Sequence, residues 1–239
     1  MSAFDDRISV MENFSTLDFH PYISCIIFYG GCILKCPYCY NPDLVHDNVK
    51  HLKGEEVRNF LIKRKGLLQG VVFCGGECTL QREKLIEDLT YCKSLDYKTK
   101  IDTNGIMPDI LTEAIDKKIV DYVALDYKAP KNKINLFTNN KNYFERFEKS
   151  LKLLIDSKIN FEVRTTVHTK ITTEEDINNI IQHLEEIGYK GDYYIQFYFP
   201  VEKTLGDIGD METPLNLSLI KETENIKIKY RNIEGNKIN

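Results

Sequence analysis

Long apolar runs are missing from this sequence. No stretch approaches the ~20 consecutive apolar residues that a membrane-spanning helix needs, and the opening MSAFDDRISV lacks the basic-then-apolar order of a secretion signal. No membrane partner is expected, and a cytoplasmic location is. An excess of basic charge is missing too: 32 Lys and Arg stand against 36 Asp and Glu, for a formal net charge of -4. Bulk attraction to a polyanion is therefore absent, and no nucleic-acid partner is expected. No Pro-, Gly- or Ser-rich linker divides the 239 residues. One domain over 1–239 is expected, with its core at roughly 20–200 and a C-terminal extension at 201–239.

What is present is globular material, 42% apolar and 28% charged, enough for a sizeable core. Short β-branched or aromatic runs alternate with helical stretches. Strands are expected at Tyr22–Tyr29, Val71–Cys74, Thr99–Asp102, Tyr122–Tyr127, Phe161–Val167 and Tyr194–Phe199, each apolar as strands buried on both faces should be. Helices are expected at Glu55–Lys65, Gln81–Leu95, Pro108–Lys118, Tyr143–Ser157 and Glu174–Ile187, where apolar residues recur every three or four positions. Such an order makes a parallel sheet. Six units fall short of the eight of a closed barrel, so the predicted fold is α/β, a partial (β/α)6 TIM-like barrel. In such sheets chemistry collects where strands end, which directs attention to polar residues just after each apolar run.

Seven cysteines in a chain of this kind are not expected to pair as disulfides. Three of them, Cys32, Cys36 and Cys39, follow the first expected strand in a loop rich in glycine and proline, Gly30-Gly31-Cys32-Ile33-Leu34-Lys35-Cys36-Pro37-Tyr38-Cys39-Tyr40-Asn41-Pro42. Structural zinc wants four ligands in a closed tetrahedron, and this run supplies three. Three thiolates on a four-iron cluster leave one iron open to a substrate. The competing readings are a zinc site completed by His46 or His51 and ordinary buried cysteines.

This C-x3-C-x2-C loop resembles that of the radical S-adenosylmethionine superfamily. The resemblance implies a 4Fe-4S cluster held by Cys32, Cys36 and Cys39 as metal ligands and catalytic residues. Its open iron would chelate the amino and carboxylate groups of S-adenosylmethionine, and an electron from the cluster would cleave the sulfonium bond to give a 5′-deoxyadenosyl radical. Tyr38, between the last two cysteines, fills the place of an aromatic residue that family members set beside the adenine.

Val71-Val72-Phe73-Cys74-Gly75-Gly76-Glu77 ends the second expected strand with paired glycines and an acid, so that backbone can approach a ligand closely. It is similar to the superfamily motif that binds the methionine amino group through its backbone and its acid, which assigns Gly75, Gly76 and Glu77. Cys78 replaces the proline usual after that glutamate; Cys74 and Cys78 read as packing residues. Asp102-Thr103-Asn104-Gly105 and Asp126-Tyr127-Lys128 close the next two strands and should share one rim. By resemblance to the glycyl-radical activating enzymes, Asp102, Thr103 and Asp126 would hold a monovalent cation beside the methionine carboxylate, and Lys128 would help hold substrate. A simple D-T-N-G turn is the plainer alternative. Arg164 suits a ribose or carboxylate contact because its guanidinium offers several fixed donors, and a surface salt bridge is an equal alternative. Gln196, a polar break in an apolar run, suits an adenosine contact. The histidine that formate-lyase activating enzymes carry near that place is absent from this sequence. His168 reads as uninvolved, and the lysine-rich stretches Lys128–Lys133 and Lys227–Arg231 as solvated surface.

Taken in order, these motifs resemble those of anaerobic ribonucleoside-triphosphate reductase activating proteins. The implied function is hydrogen abstraction from a glycine of that reductase, which is the implied partner together with a flavodoxin-like or ferredoxin-like electron donor. The alternatives are an activase of another glycyl-radical enzyme, a small-molecule enzyme of the deazaguanine-synthase kind, or a non-catalytic metal carrier.

Overall fold

The computed structural model describes residues 3–4, 8–211 and 213–233. Eight strands form one sheet in chain order. β1 (Ile8–Ser15) runs antiparallel to β2 (Ser24–Tyr29). From β2 onward all neighbours are parallel: β3 (Gly70–Gly75), β4 (Lys98–Thr103), β5 (Tyr122–Asp126), β6 (Asn160–Val167), β7 (Asp192–Phe197) and β8 (Lys227–Arg231). A helical turn, α1 (Pro42–Val45), precedes five crossover helices: α2 (Gly54–Arg64), α3 (Glu83–Ser94), α4 (Pro108–Asp116), α5 (Tyr143–Asp156) and α6 (Glu174–Glu186). β1 and β8 are the two ends of the strand order, so the sheet is an open one, as a partial barrel requires.

All six expected strands and all five expected helices are present. Two further strands extend the sheet. The segment Lys227–Arg231, expected as solvated surface, is strand β8: its alternate lysines face outward while its backbone pairs with β7. β1 escaped notice because it is an edge strand with several exposed side chains, including Val10 and Phe14. The extension expected at 201–239 carries a 3-10 turn at Leu217–Leu219 and then β8; positions 212 and 234–239 of that expectation, and 1–2 and 5–7 of the single domain, lie outside the described residues.

The helices pack where their periodicity says they should. α5 buries Tyr143, Phe144, Phe147, Leu151 and Leu154, each contributing about 1.5–3 kcal/mol by leaving water. α6 opens on a complete capping box, with Thr173 and Asp176 each bonding the other's backbone amide. Register then decides what the strands show on each side. Ile27, Phe73, Ile101, Val123, Val163 and Ile195 join the main core. The alternate residues differ: Asp126 lies beside Arg164, Ala124 beside Glu162 and Gln196 beside Arg231. One side of the sheet is therefore apolar, and the other combines a small apolar cluster around Phe19, Ile26 and Val72 with the charged residues, because side chains alternate with a period of two.

Candidate active site

The cysteine loop leaves β2 and turns on Gly31, whose positive φ of 87° suits glycine. Distant segments brace it. Lys35 N–H donates to Phe137 (2.7 Å), Leu205 N–H to the carbonyl of Cys39 (3.0 Å) and Gly206 N–H to that of Pro37 (2.9 Å). Cys32, Cys36 and Cys39 all line one cavity at the ends of β3, β4 and β5. Burial raises the Cys36 thiol to about 11. Burial, with the charge of Glu77 added, raises Cys32 to about 12. A thiolate here is therefore costly without a compensating positive centre. Among the described residues no three His, Cys, Asp or Glu side chains converge on a position for one metal ion. His51 pairs instead with Asp47 at 3.5 Å, and His46 is exposed, so neither completes a zinc tetrahedron.

The glycine turn forms the opposite wall. A Cβ on Gly76 would lie 2.2 Å from the carbonyl oxygen of Gly31, and one on Gly75 2.2 Å from the Tyr29 nitrogen; only glycine lets this turn approach the cysteine loop. The amides of Gly76 and Glu77 are spent on the carbonyls of Tyr29 and Gly31, both at 2.8 Å. What the turn can offer a ligand is carbonyl oxygen, the match for an amino group. The Glu77 carboxylate is held in place from within: Oε1 accepts from Thr79 N–H (3.1 Å), Thr79 Oγ1 (2.6 Å) and Thr103 Oγ1 (2.7 Å), and Oε2 from Asn104 N–H (2.7 Å). Glu77 lines the cavity and at the same time ties the end of β3 to the end of β4. Burial raises its pKa against the pull of those donors.

Beyond the turn lies a chain of ions. Lys100 Nζ meets Asp102 Oδ1 at 3.1 Å, and Asp102 Oδ2 meets Arg164 at 2.9 Å. Arg164 Nε donates to Asp126 Oδ1, and Lys128 Nζ to Asp126 Oδ2 at 2.8 Å. Burial opposes ionisation of Asp126, but the charges of Arg164 and Lys128 outweigh it and hold the carboxyl at about 2. Lys128, likewise buried, is kept charged by Asp126. Arg164 bridges the two acids from which a seat for a monovalent cation is expected, and the Thr103 hydroxyl donates to Glu77. Physically, Arg164 supplies the positive charge that two neighbouring acids need.

The cavity thus gathers Cys32, Cys36, Cys39, Tyr38, Gly75, Gly76, Glu77, Asp102, Thr103, Asp126 and Lys128. Arg164 and Gln196 line a neighbouring cavity instead, with Lys100 and Arg231. Gln196, expected as an adenosine contact, has its Oε1 accepting from Arg231 Nη1 at 3.1 Å. Thr166 and Asn104 line the main cavity without having been singled out. Asn104 sat in the D-T-N-G motif, and its polarity at a strand end was the available signal. Cys74 lines the cavity; Cys78 is fully buried, its thiol donating to the carbonyls of Phe73 (3.5 Å) and Asp102 (3.6 Å). His168 is a structural pin: buried, it packs on Tyr198 and its Nε2 meets the Gly209 carbonyl at 2.9 Å. Within the lysine-rich stretch, Lys133 is no free surface charge but pairs with Asp176 at 2.5 Å.

Comparison with known proteins adds the following. The model of the Radical SAM superfamily matches residues 26–184. A Methanocaldococcus jannaschii protein named as a glycyl-radical enzyme activating enzyme is 33% identical over 200 residues, 81% of this chain and 80% of that protein. A pyruvate formate-lyase-activating enzyme of Clostridium pasteurianum is 38% identical over 127 residues, 51% of this chain and 52% of the relative, so the chain spans about half of that protein's length. Among solved structures, Streptococcus suis SuiB bound to its precursor peptide SuiA superposes with a TM-score of 0.61 at 17% identity, over 85% of this chain and 48% of SuiB. Native anSMEcpe with bound AdoMet gives 0.58 at 21% identity, over 73% of this chain and 51% of that one. These two likenesses are of fold.

Proposed function

The chain belongs to the radical SAM superfamily and to its glycyl-radical enzyme activating branch, and we propose that it installs a glycyl radical on anaerobic ribonucleoside-triphosphate reductase. The superfamily works with a 4Fe-4S cluster and S-adenosylmethionine. Both groups suit the residues present. Three thiols share one cavity, and the Tyr38 hydroxyl in its wall is buried without a hydrogen-bond partner among the described residues. When bound, the pair would supply a reductively generated carbon radical able to take hydrogen from the target glycine.

The observation that carries this reading is the convergence of three cysteines, a carbonyl-presenting glycine turn and Lys128 on one cavity. Cys32, Cys36 and Cys39 would hold the cluster. The turn at Gly75 and Gly76 would accept from the methionine amino group, and Lys128, whose ammonium has donors beyond the one given to Asp126, would meet the carboxylate. Tyr38 would wall the adenine side. Asp102 and Asp126 act through Arg164, holding the rim of β4, β5 and β6 together. A carbon radical attacks any hydrogen donor in reach, so the walls must position one target and keep water out. No helix among the described residues is long and apolar enough to cross a membrane; a cytoplasmic location and a flavodoxin-like or ferredoxin-like electron donor complete the proposal.

A second reading, in which the target is a formate-lyase type enzyme, is favoured by the similarity to the Clostridium pasteurianum protein. The test is electron paramagnetic resonance of the reconstituted protein with dithionite, S-adenosylmethionine and each candidate target. A glycyl-radical doublet on the reductase is expected. A doublet only on a formate-lyase enzyme would replace the target, and no 5′-deoxyadenosine with any target would end the enzymatic reading.

A further inference from the structure

We propose that Asn104 tunes the cluster: its side-chain amide donates a hydrogen bond to the Cys32 sulfur and so raises the reduction potential of the centre that Cys32 holds. The proposal rests on Cys32 being a cluster ligand, and the experiment below separates the two.

Asn104 is 3% exposed and lines the cavity. Three of its four polar groups are fixed. Its backbone N–H donates to Glu77 Oε2 at 2.7 Å, and its carbonyl accepts from the Tyr143 hydroxyl at 2.8 Å. Its side-chain Oδ1 accepts from Ile106 N–H at 3.1 Å, an Asx turn that closes the loop after β4. Because Oδ1 is committed, the plane of the amide is set. Its Nδ2 then faces Cys32 Sγ at 3.9 Å, within the longer range that sulfur allows. Leu34 N–H reaches the same sulfur at 3.4 Å. Cys32 is thus approached by two donors from different segments, one in its own loop and one from the far side of the cavity.

Reduction adds negative charge that the cysteine sulfurs share. A donor aimed at one of those sulfurs favours the more negative form and raises the potential, while a nearby anion does the reverse. Glu77 is such an anion, buried and coupled electrostatically to Cys32. It is also bonded to the backbone of Asn104. One residue therefore anchors the acid that opposes reduction and supplies the dipole that favours it. Asparagine suits this position in a way aspartate or serine does not, since only an amide offers an acceptor for Ile106 and a donor for sulfur in one rigid plane.

The test uses reconstituted full-length protein and two variants. Asn104→Asp keeps the size and the acceptor for Ile106 but replaces the donor with a charge; Asn104→Ala removes the donor without adding one. Iron and sulfide per chain should match the wild type in both. In a potentiometric titration followed by electron paramagnetic resonance, the ratio of reduced to oxidised cluster at a fixed potential should fall about tenfold in Asn104→Ala, which is about 59 mV for a one-electron couple, and further in Asn104→Asp. An Asn104→Ala potential equal to the wild type overturns the proposal, even if the aspartate variant shifts, because charge alone would then explain the shift. Loss of the cluster from Asn104→Ala, with or without its loss from Asn104→Asp, also overturns it, in favour of a purely structural turn; loss from Asn104→Asp alone leaves the alanine variant to decide. Failure of the wild type to assemble any cluster would instead remove the cofactor reading on which this one stands.

Discussion

Phe73 and Cys74 are adjacent in β3, yet one is sealed in the helix-covered core and the other lines the reactive cavity. The same division runs across the sheet, with Ile101 against Asp102, Leu125 against Asp126 and Val163 against Arg164. On the helix-covered side, stability comes from apolar burial, and a lost side chain leaves a void. The other side has only a small apolar cluster around Ile26 and Val72, and carries a chain of alternating charges, each tolerated in a buried place because its neighbour has the opposite sign. A side built this way is poised to receive a charged ligand; the apolar side is not.

The comparison can be broken at several points. Cys36→Ala, on the cavity side, should abolish iron binding and 5′-deoxyadenosine formation together while leaving the circular dichroism spectrum intact; retained cleavage would refute the ligand assignment. Phe73→Ala, one face away, should cost about 3–5 kcal/mol of stability in chemical denaturation and leave the cluster in place under native conditions. Asp102→Ala should keep the cluster but weaken S-adenosylmethionine binding about tenfold, or about 1.4 kcal/mol, as measured by calorimetry on the anaerobic holoenzyme; unchanged affinity would detach the ion chain from the ligand.

The smallest effect is a difference in sign with pH. Asp88, on α3 against Tyr29, is raised by burial from an ordinary 3.8 to about 6, whereas Asp126 is held at about 2. Stability linked to Asp88 should be full below 3.8 and lost as pH rises through about 6; that linked to Asp126 should be present above 3.8 and lost as pH falls through about 2. Denaturation midpoints of Asp88→Asn and Asp126→Asn across this range should lose these two dependences separately. A common dependence in both would show that the two sides are not electrostatically distinct.

Legibility followed the same division. Strands β2 to β7 and their helices could be read because apolar periodicity is local. The cysteine loop, the glycine turn and the acids at strand ends could be read because each is a short contiguous motif. Edge strands β1 and β8 could not, since their polar, exposed side chains carry no core signal and their pairing is made by backbone. The partners of Glu77 could not be read for a related reason. Its four donors come from Thr79, Thr103 and Asn104, and the last two stand at the end of β4 and just after it.

By itself, then, the sequence determined which chemistry-bearing groups exist and the order in which they meet the ends of strands, because ligand type and strand period are properties of neighbouring residues. Tertiary structure decided which of those groups remain free. Arg164, read as a ligand contact or a salt bridge, is the bridge between Asp102 and Asp126, and Asn104, read as part of a turn, faces Cys32. Register across parallel strands brings together side chains that are far apart in the chain, and the cost of burying a charge selects which of them pair.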